Sequence, residues 1–246
     1  MNLSPSLPLR LTTAGAFTLV ALLSGASFGW EGVRGSGKLT KESREVKPFE
    51  RVSASSGINV DLKVGPQMAL LVEADDNVVP LVVTQVDGGT LLIRFAERNL
   101  HTRNEVVVHL QAPVIVEVSV SGGSKARGEV ASPEALGLSA SGGAEIRLRG
   151  MDTKRLVAEA SGGARLDLEG KAGSVKVALS GGAGLRAARL ATARVEIDGS
   201  GGCAAQVHAS ESVTGELSGG CALDVQGAAK VKVAASGGSS VGRADD

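Results

Sequence analysis

Over its second half the chain alternates apolar and polar side chains with a period of two, in blocks punctuated by Ser-Gly-Gly. After one triplet, Ala144, Ile146 and Leu148 alternate with Glu145, Arg147 and Arg149; after the next, Ala164, Leu166 and Leu168 alternate with Arg165, Asp167 and Glu169. Ala183, Leu185 and Ala187, then Cys203, Ala205 and Val207, then Cys221, Leu223 and Val225 repeat the pattern. Ahead of the serines stand Leu156, Ala158 and Ala160; Val175, Val177 and Leu179; Val195, Ile197 and Gly199; and Val231, Val233 and Ala235. Period two is the signature of a strand with one buried face. Each triplet is therefore flanked by two short strands.

The triplets are Ser121-Gly122-Gly123, Ser141-Gly142-Gly143, Ser161-Gly162-Gly163, Ser180-Gly181-Gly182, Ser200-Gly201-Gly202, Ser218-Gly219-Gly220 and Ser236-Gly237-Gly238. Their intervals are 20, 20, 19, 20, 18 and 18 residues. A unit that short cannot bury its own apolar face and must stack on its neighbours. The expected fold is all-β, a parallel β-helix of 18–20-residue coils, right-handed by the sterics of parallel crossovers. Glycine suits a corner repeated in every coil, because it reaches φ > 0 and adds no side chain. The serines are expected to point outward as a hydroxyl ladder. A second turn at Gly150, Gly170 and Gly227 varies in length and accounts for the drift in interval. The triplets lack the Lys-Ser/Thr ending of a phosphate loop, the Gly-x-Asp element of a calcium-binding nonapeptide repeat, and the His and acid beside a serine nucleophile. Corner formation is the reading that remains.

Residues 31–120 lack the triplet but stay β-rich. Ile58–Val64 alternates cleanly, and Met68–Val72, Leu91–Phe95, Glu105–Leu110 and Val114–Val120 read as strands, with a turn at Asp87-Gly88-Gly89. Asp76 or Asn77 is placed to cap a short helix with Pro80 in its first turn. No Pro/Ser linker separates the halves. The expected organisation is a signal peptide over residues 1–29, cleaved after Ala26 or Gly29, then a flexible lead-in over 30–48. A single domain follows over 49–246, with an irregular cap at 49–120 and repeats at 121–240. Arg10, the apolar run Leu11–Leu23 and the small residues after it have the layout of a secretory signal. That run is too short to span a bilayer as a helix.

Phe49-Glu50-Arg51-Val52, Gly57-Ile58-Asn59-Val60, Val72-Glu73-Ala74-Asp75-Asp76-Asn77 and Gly89-Thr90-Leu91-Leu92-Ile93 occur in that order ahead of the triplets. Together they resemble the family described as "putative auto-transporter adhesin, head GIN domain", over Val46 to the C-terminus. The resemblance implies an exported bacterial protein built on a right-handed β-helix, and it brings no catalytic residues with it.

Lys+Arg and Asp+Glu both number 26, which gives no expectation of nucleic-acid binding. There is no Tyr, one Trp and four Phe, so the core must be aliphatic and sugar recognition by ring stacking is disfavoured. His101, His109 and His208 are scattered, without metal-ligand spacing. No cofactor is expected. Cys203 and Cys221 occupy one repeat position in adjacent coils, shared with Ser124, Ala144, Ala164, Ala183 and Ser239. They are either stacked small hydrophobes or a disulfide, which export would permit. Lys125, Glu145 and Arg165, and Glu129, Arg149 and Glu169, alternate in sign up two outward columns. That alternation accounts for Asp167 and Glu169 without a paired-carboxylate catalytic site. The function expected is a non-enzymatic envelope protein that presents a regular polar surface to an envelope or extracellular protein or glycan, with its solenoid ends open to self-association. The alternative is a β-helical enzyme acting on envelope polysaccharide, a reading from fold analogy alone.

Overall fold

In the computed structural model, which describes residues 32–96 and 99–243, the period-two blocks become a pile of coils. The proposed signal peptide, residues 1–29, lies outside the described residues. The strands in chain order are β1 (Val33–Arg34), β2 (Leu39–Arg44), β3 (Arg51–Ala54), β4 (Asn59–Val64), β5 (Ala69–Asp75), β6 (Val82–Asp87), β7 (Thr90–Phe95), β8 (Leu100–His101) and β9 (Val107–Ala112). The repeats supply β10 (Glu117–Val120), β11 (Lys125–Glu129), β12 (Ala135–Ala140), β13 (Glu145–Ala160), β14 (Arg165–Gly181), β15 (Gly184–Gly201), β16 (Ala204–Gly219), β17 (Ala222–Gln226), β18 (Lys230–Ala235) and β19 (Ser240–Arg243).

Every pairing between successive repeats is parallel, and equivalent residues lie over one another. Val118, Leu138, Ala158, Val177, Ile197, Gly215 and Val233 form one inward column. The solenoid is all-β with stacked coils of about 20 residues. The interior is Val, Leu, Ile and Ala, with Phe49 its one fully buried aromatic among the described residues. Burying each Leu, Ile or Val contributes about 1.5–3 kcal/mol, against about 0–1 kcal/mol for an exposed ion pair. The inner wall, not the charged outer face, holds the coils together.

The coil stack starts earlier than the triplets do. β3 and β4 pair in parallel with β10 and β11, placing Ser55-Ser56-Gly57 beneath Ser121-Gly122-Gly123. Ser56 takes φ 68° and Gly57 φ 82°, close to Gly122 and Gly123 in the corner directly above. Gly57-Ile58-Asn59 is thus a corner glycine, a buried core residue and an outward side chain. Below this coil lies another that comes later in sequence, with β7 parallel to β3 and β9 parallel to β4. Beyond it the sheet turns antiparallel: β6 runs against β7, β5 against β9, and β2 against β5. These strands make the curled, irregular N-terminal region.

Two expectations need correction. The stretch read as a flexible lead-in contains β1 and β2, and β2 is the outermost strand of the cap. The helix expected after Asp76 is only a 3-10 turn, Val79–Leu81, with no side-chain cap. Asp76 instead accepts a hydrogen bond from Ser36 Oγ (2.6 Å), and Asn77 bonds Ser36 N and Arg34 O. Those side chains tie down the chain ahead of β2.

Candidate binding surface

The carbonyls of Ser121, Ser141, Ser161 and Ser236 each accept a bond from the N–H three residues on, as in Ser124 N to Ser121 O (3.2 Å) and Ala144 N to Ser141 O (3.3 Å). The first glycine of every triplet has positive φ, between 61° at Gly122 and 90° at Gly201. From Gly162 onward a Cβ there would also crowd the glycine below: Gly201 would meet Gly181 N at 3.0 Å, and Gly219 would meet Gly201 O at 2.5 Å. The second glycine differs. Among the triplets its φ is positive only at Gly123 and Gly238, and a Cβ on Gly143 would meet nothing within 4 Å. Its N–H groups are used between coils, from Gly163 to Gly142 O (2.8 Å), Gly202 to Gly181 O (2.9 Å) and Gly220 to Gly201 O (2.6 Å). These three amides are bonded to carbonyls and are not free to hold an anion. Ser218 and Ser236 turn their hydroxyls back onto the carbonyls of Gly199 and Leu217.

A groove runs on each side of this corner. Ahead of it, about 460 Å³ is lined by the serine column and by Ser139, Glu159, Ala178, Asp198 and Glu216. After it, about 350 Å³ has a floor of Gly184, Ala204 and Ala222, where the column begun by Lys125, Glu145 and Arg165 loses its long side chains. Arg186, Gln206 and Asp224 form its outer wall. Both grooves run along the coil axis, so their groups recur at the ~4.8 Å strand spacing.

The column of Lys125, Glu145 and Arg165 has the expected register but different partners, whereas Arg149 and Glu169 of the second column do pair. Glu145 bonds Arg147 on its own strand (2.6 Å), and Arg147 reaches Asp167 (3.3 Å). Arg189 lies 2.6 Å from Glu169 and 3.9 Å from Asp167, with Arg149 3.5 Å from Glu169. Three arginines thus answer the two carboxylates of Asp167 and Glu169. Glu169 Oε1 meets Arg189 as an ion pair without hydrogen-bond geometry.

Cys203 and Cys221 sit inside the wall with their sulfurs 2.12 Å apart and Cα atoms 4.5 Å apart, at bonding distance. The structure explains why Gly199 is the glycine of an otherwise aliphatic column: a Cβ there would lie 2.8 Å from Cys203 Sγ and 2.7 Å from Leu217 Cδ2. Serines stand at both ends of the cysteine column. Ser124 Oγ accepts from Gly57 N (3.1 Å) and Ser239 Oγ from Cys221 N (3.2 Å).

Two polar clusters escaped sequence reasoning because the cap topology assembles them. His109 places Nε2 3.0 Å from Glu73 and Nδ1 3.2 Å from Asp61. Lys41 and Arg127 extend the row at either end, at 3.2 and 2.6 Å, so that it crosses β2, β5, β9, β4 and β11. The His109 hydrogen bond, aided by Lys41, holds the Glu73 carboxyl below its usual range against the opposing effect of burial. His101 and His208 lie on β8 and β16, apart from this row. The second cluster centres on Asp75, fully buried at the end of β5. Burial pushes its carboxyl up, but donors from Arg103 N (3.0 Å), Asn104 Nδ2 (2.5 Å) and the Asn104 and Gly37 amides outweigh this and hold it low. Among the described residues no three His, Cys, Asp or Glu side chains gather as a metal site would require.

The fold is similar to that of solved bacterial proteins. A "putative adhesin" from Bacteroides fragilis superposes with TM-score 0.79 at 18% identity, covering 87% of this chain and 100% of that one. One of the same description from Parabacteroides merdae gives 0.68 at 18% identity, over 86% and 98%. A "putative lipid binding protein" from Parabacteroides distasonis gives 0.70 at 13% identity, over 87% and 100%. No curated protein matches the sequence. The family model described as "Putative auto-transporter adhesin, head GIN domain" matches residues 48–229, from the cap strands through the cysteine coils. The chain belongs to the head GIN domain family.

Proposed function

We propose that the protein is an exported, non-enzymatic solenoid of the cell envelope that holds an extended polar polymer, a glycan first, in the grooves beside its Ser-Gly-Gly corner. The observation that carries this reading is the pair of grooves running parallel to the coil axis, each presenting polar groups once per coil. Such periodic donors and acceptors suit a ligand whose own polar groups recur along its length. With so few aromatics, recognition rests on Ser, Glu, Asp, Gln and Arg hydrogen bonds. The adhesin descriptions of the similar structures support the same role.

Export is supported by Arg10 and the apolar stretch behind it, and by cysteine sulfurs at bonding distance, a state that oxidising compartments preserve. Among the described residues no helix is long and apolar enough to cross a membrane.

The test is binding to an array of envelope glycans and proteins, run beside lyase and hydrolase assays. Gly184→Arg would fill the groove after the corner, at a position where a Cβ meets nothing closer than Arg165 Cγ, at 4.0 Å. Binding lost in that variant at unchanged melting temperature is the expected result. Turnover of a glycan that disappears in Asp167→Asn or Glu169→Gln would overturn the non-enzymatic reading.

A further inference from the structure

Taking the groove after the corner as the glycan site proposed above, we propose that it selects a sparsely acidic glycan, one whose carboxylated sugars alternate with neutral ones. The carboxylate falls to Arg165 and Arg186 at one end of the groove. Neutral donors of the next sugar fall to Asp224 at the other.

Most arginines of this outer face are already ion-paired. Arg127 reaches Asp61 (2.6 Å), Arg147 reaches Glu145 and Asp167, and Arg149 and Arg189 reach Glu169. Arg165 and Arg186 differ: both are exposed, both line the groove, and neither pairs with a carboxylate among the described residues. Arg186 stands over Asp167 in register, but Asp167 is taken by Arg147 (3.3 Å) and Arg189 (3.9 Å). Arg165 stands beneath Gly184, where a Cβ would meet its Cγ at 4.0 Å. The two arginines thus flank Gly184, one a strand below it and the other two residues along, with no side chain between them. A guanidinium donates paired N–H bonds to a planar carboxylate, and both forks here are unused.

Charge then changes sign along the groove. Arg186, Gln206 and Asp224 stack in one outward column over three successive coils. Two strand spacings of ~4.8 Å put Asp224 roughly 10 Å from Arg186. Asp224 also lines the groove and pairs with no base among the described residues. The other two carboxylates of the lining, Glu145 and Asp167, are each paired with an arginine. Unpaired charge is therefore positive at one end and negative at the other, with the Gln206 amide between. A polymer acidic at every sugar would set a carboxylate against Asp224, and like charges across a contact are penalised. A wholly neutral polymer would leave both guanidiniums without an anion. An acidic sugar followed by a neutral one, with amide or hydroxyl donors, answers both ends.

Calorimetric binding of the full chain to three length-matched probes tests this. Hyaluronan oligosaccharide alternates glucuronate with N-acetylglucosamine, oligogalacturonate is acidic throughout, and chito-oligosaccharide is neutral throughout. Hyaluronan is expected to bind at least about tenfold more tightly than either of the others. Arg165→Gln and Arg186→Gln should each weaken it at least about tenfold at unchanged melting temperature. Arg194→Gln, which breaks an exposed pair with Glu211 away from the groove, should leave it unchanged. Asp224→Asn should narrow the gap between oligogalacturonate and hyaluronan. Hyaluronan binding indifferent to both groove arginines, or a gap unmoved by Asp224→Asn, would overturn the inference. So would a groove ligand, lost in Gly184→Arg, that is neutral, acidic at every sugar or anionic through phosphate, although glycan binding itself would then stand. No glycan bound at all would remove the groove reading and this inference together.

Discussion

Ser56 lies directly beneath Gly122: a Cβ on Gly122 would meet Ser56 N at 3.3 Å, and the two residues share left-handed backbones, φ 68° and 61°. Ser56 is the one non-glycine residue with positive φ among those described. A side chain in that conformation costs about 1–2 kcal/mol, partly offset by the greater entropy a glycine loses on folding. Ser56→Gly is therefore expected to raise stability by about 0.5–1 kcal/mol in urea unfolding. A loss would mean that this corner does not share the geometry above it.

The two glycines of a triplet are not equivalent, and substitution should separate them. Gly201→Ala combines positive φ with a 3.0 Å approach to Gly181 and is expected to cost at least about 2 kcal/mol. At Gly202 a Cβ meets nothing closer than Gly181 O at 4.0 Å, and Ala should change stability by less than about 0.5 kcal/mol. Denaturant midpoints of the two variants decide the point.

Gly199 and the cysteines should behave as a coupled unit. Replacing Cys203 and Cys221 together by Ala is expected to cost about 3 kcal/mol, the loop-closure value for a bridge spanning 18 residues. Gly199→Ala should be strongly destabilising in the parent chain and much less so without the sulfurs that crowd its Cβ. A double-mutant cycle with zero interaction energy would contradict this packing.

The cap should be the acid-sensitive part of the molecule. Asp75, Glu73 and Asp76 are all held below their ordinary values, 3.8 for aspartate and 4.5 for glutamate. A carboxylate depressed in the folded state stabilises it above the unfolded-state value and loses that contribution as pH falls through the folded one. The melting temperature is thus expected to be flat above about pH 5 and to decline as pH falls below the ordinary values. Asp75→Asn should melt lower at neutral pH and show a shallower acid decline. Equal slopes for variant and parent would remove Asp75 from the account.

The repeat half was readable because every coil uses the same three residues at the same bend, so seven copies reinforce one signal. The first corner was not, because Ser56 stands where the others have glycine. The lowest coil was hidden for a different reason: β7 and β9 come after β3 and β4 in the chain but lie beneath them, and local periodicity carries no order of stacking. The columns at Lys125, Glu145 and Arg165 were right in register and wrong in partner, since Arg147 is long enough to reach Glu145 along its own strand. Asp76 and Asn77 read as helix caps but bond the strap ahead of β2. No local pattern announces a partner 40 residues away.

The central claim is that successive corners are hydrogen-bonded to one another. NMR scalar couplings across hydrogen bonds measure this directly. Coupling from the Gly202 amide to the Gly181 carbonyl, and from Gly220 to Gly201, with slow solvent exchange at both amides, is the predicted result. Freely exchanging corner amides without those couplings would contradict it.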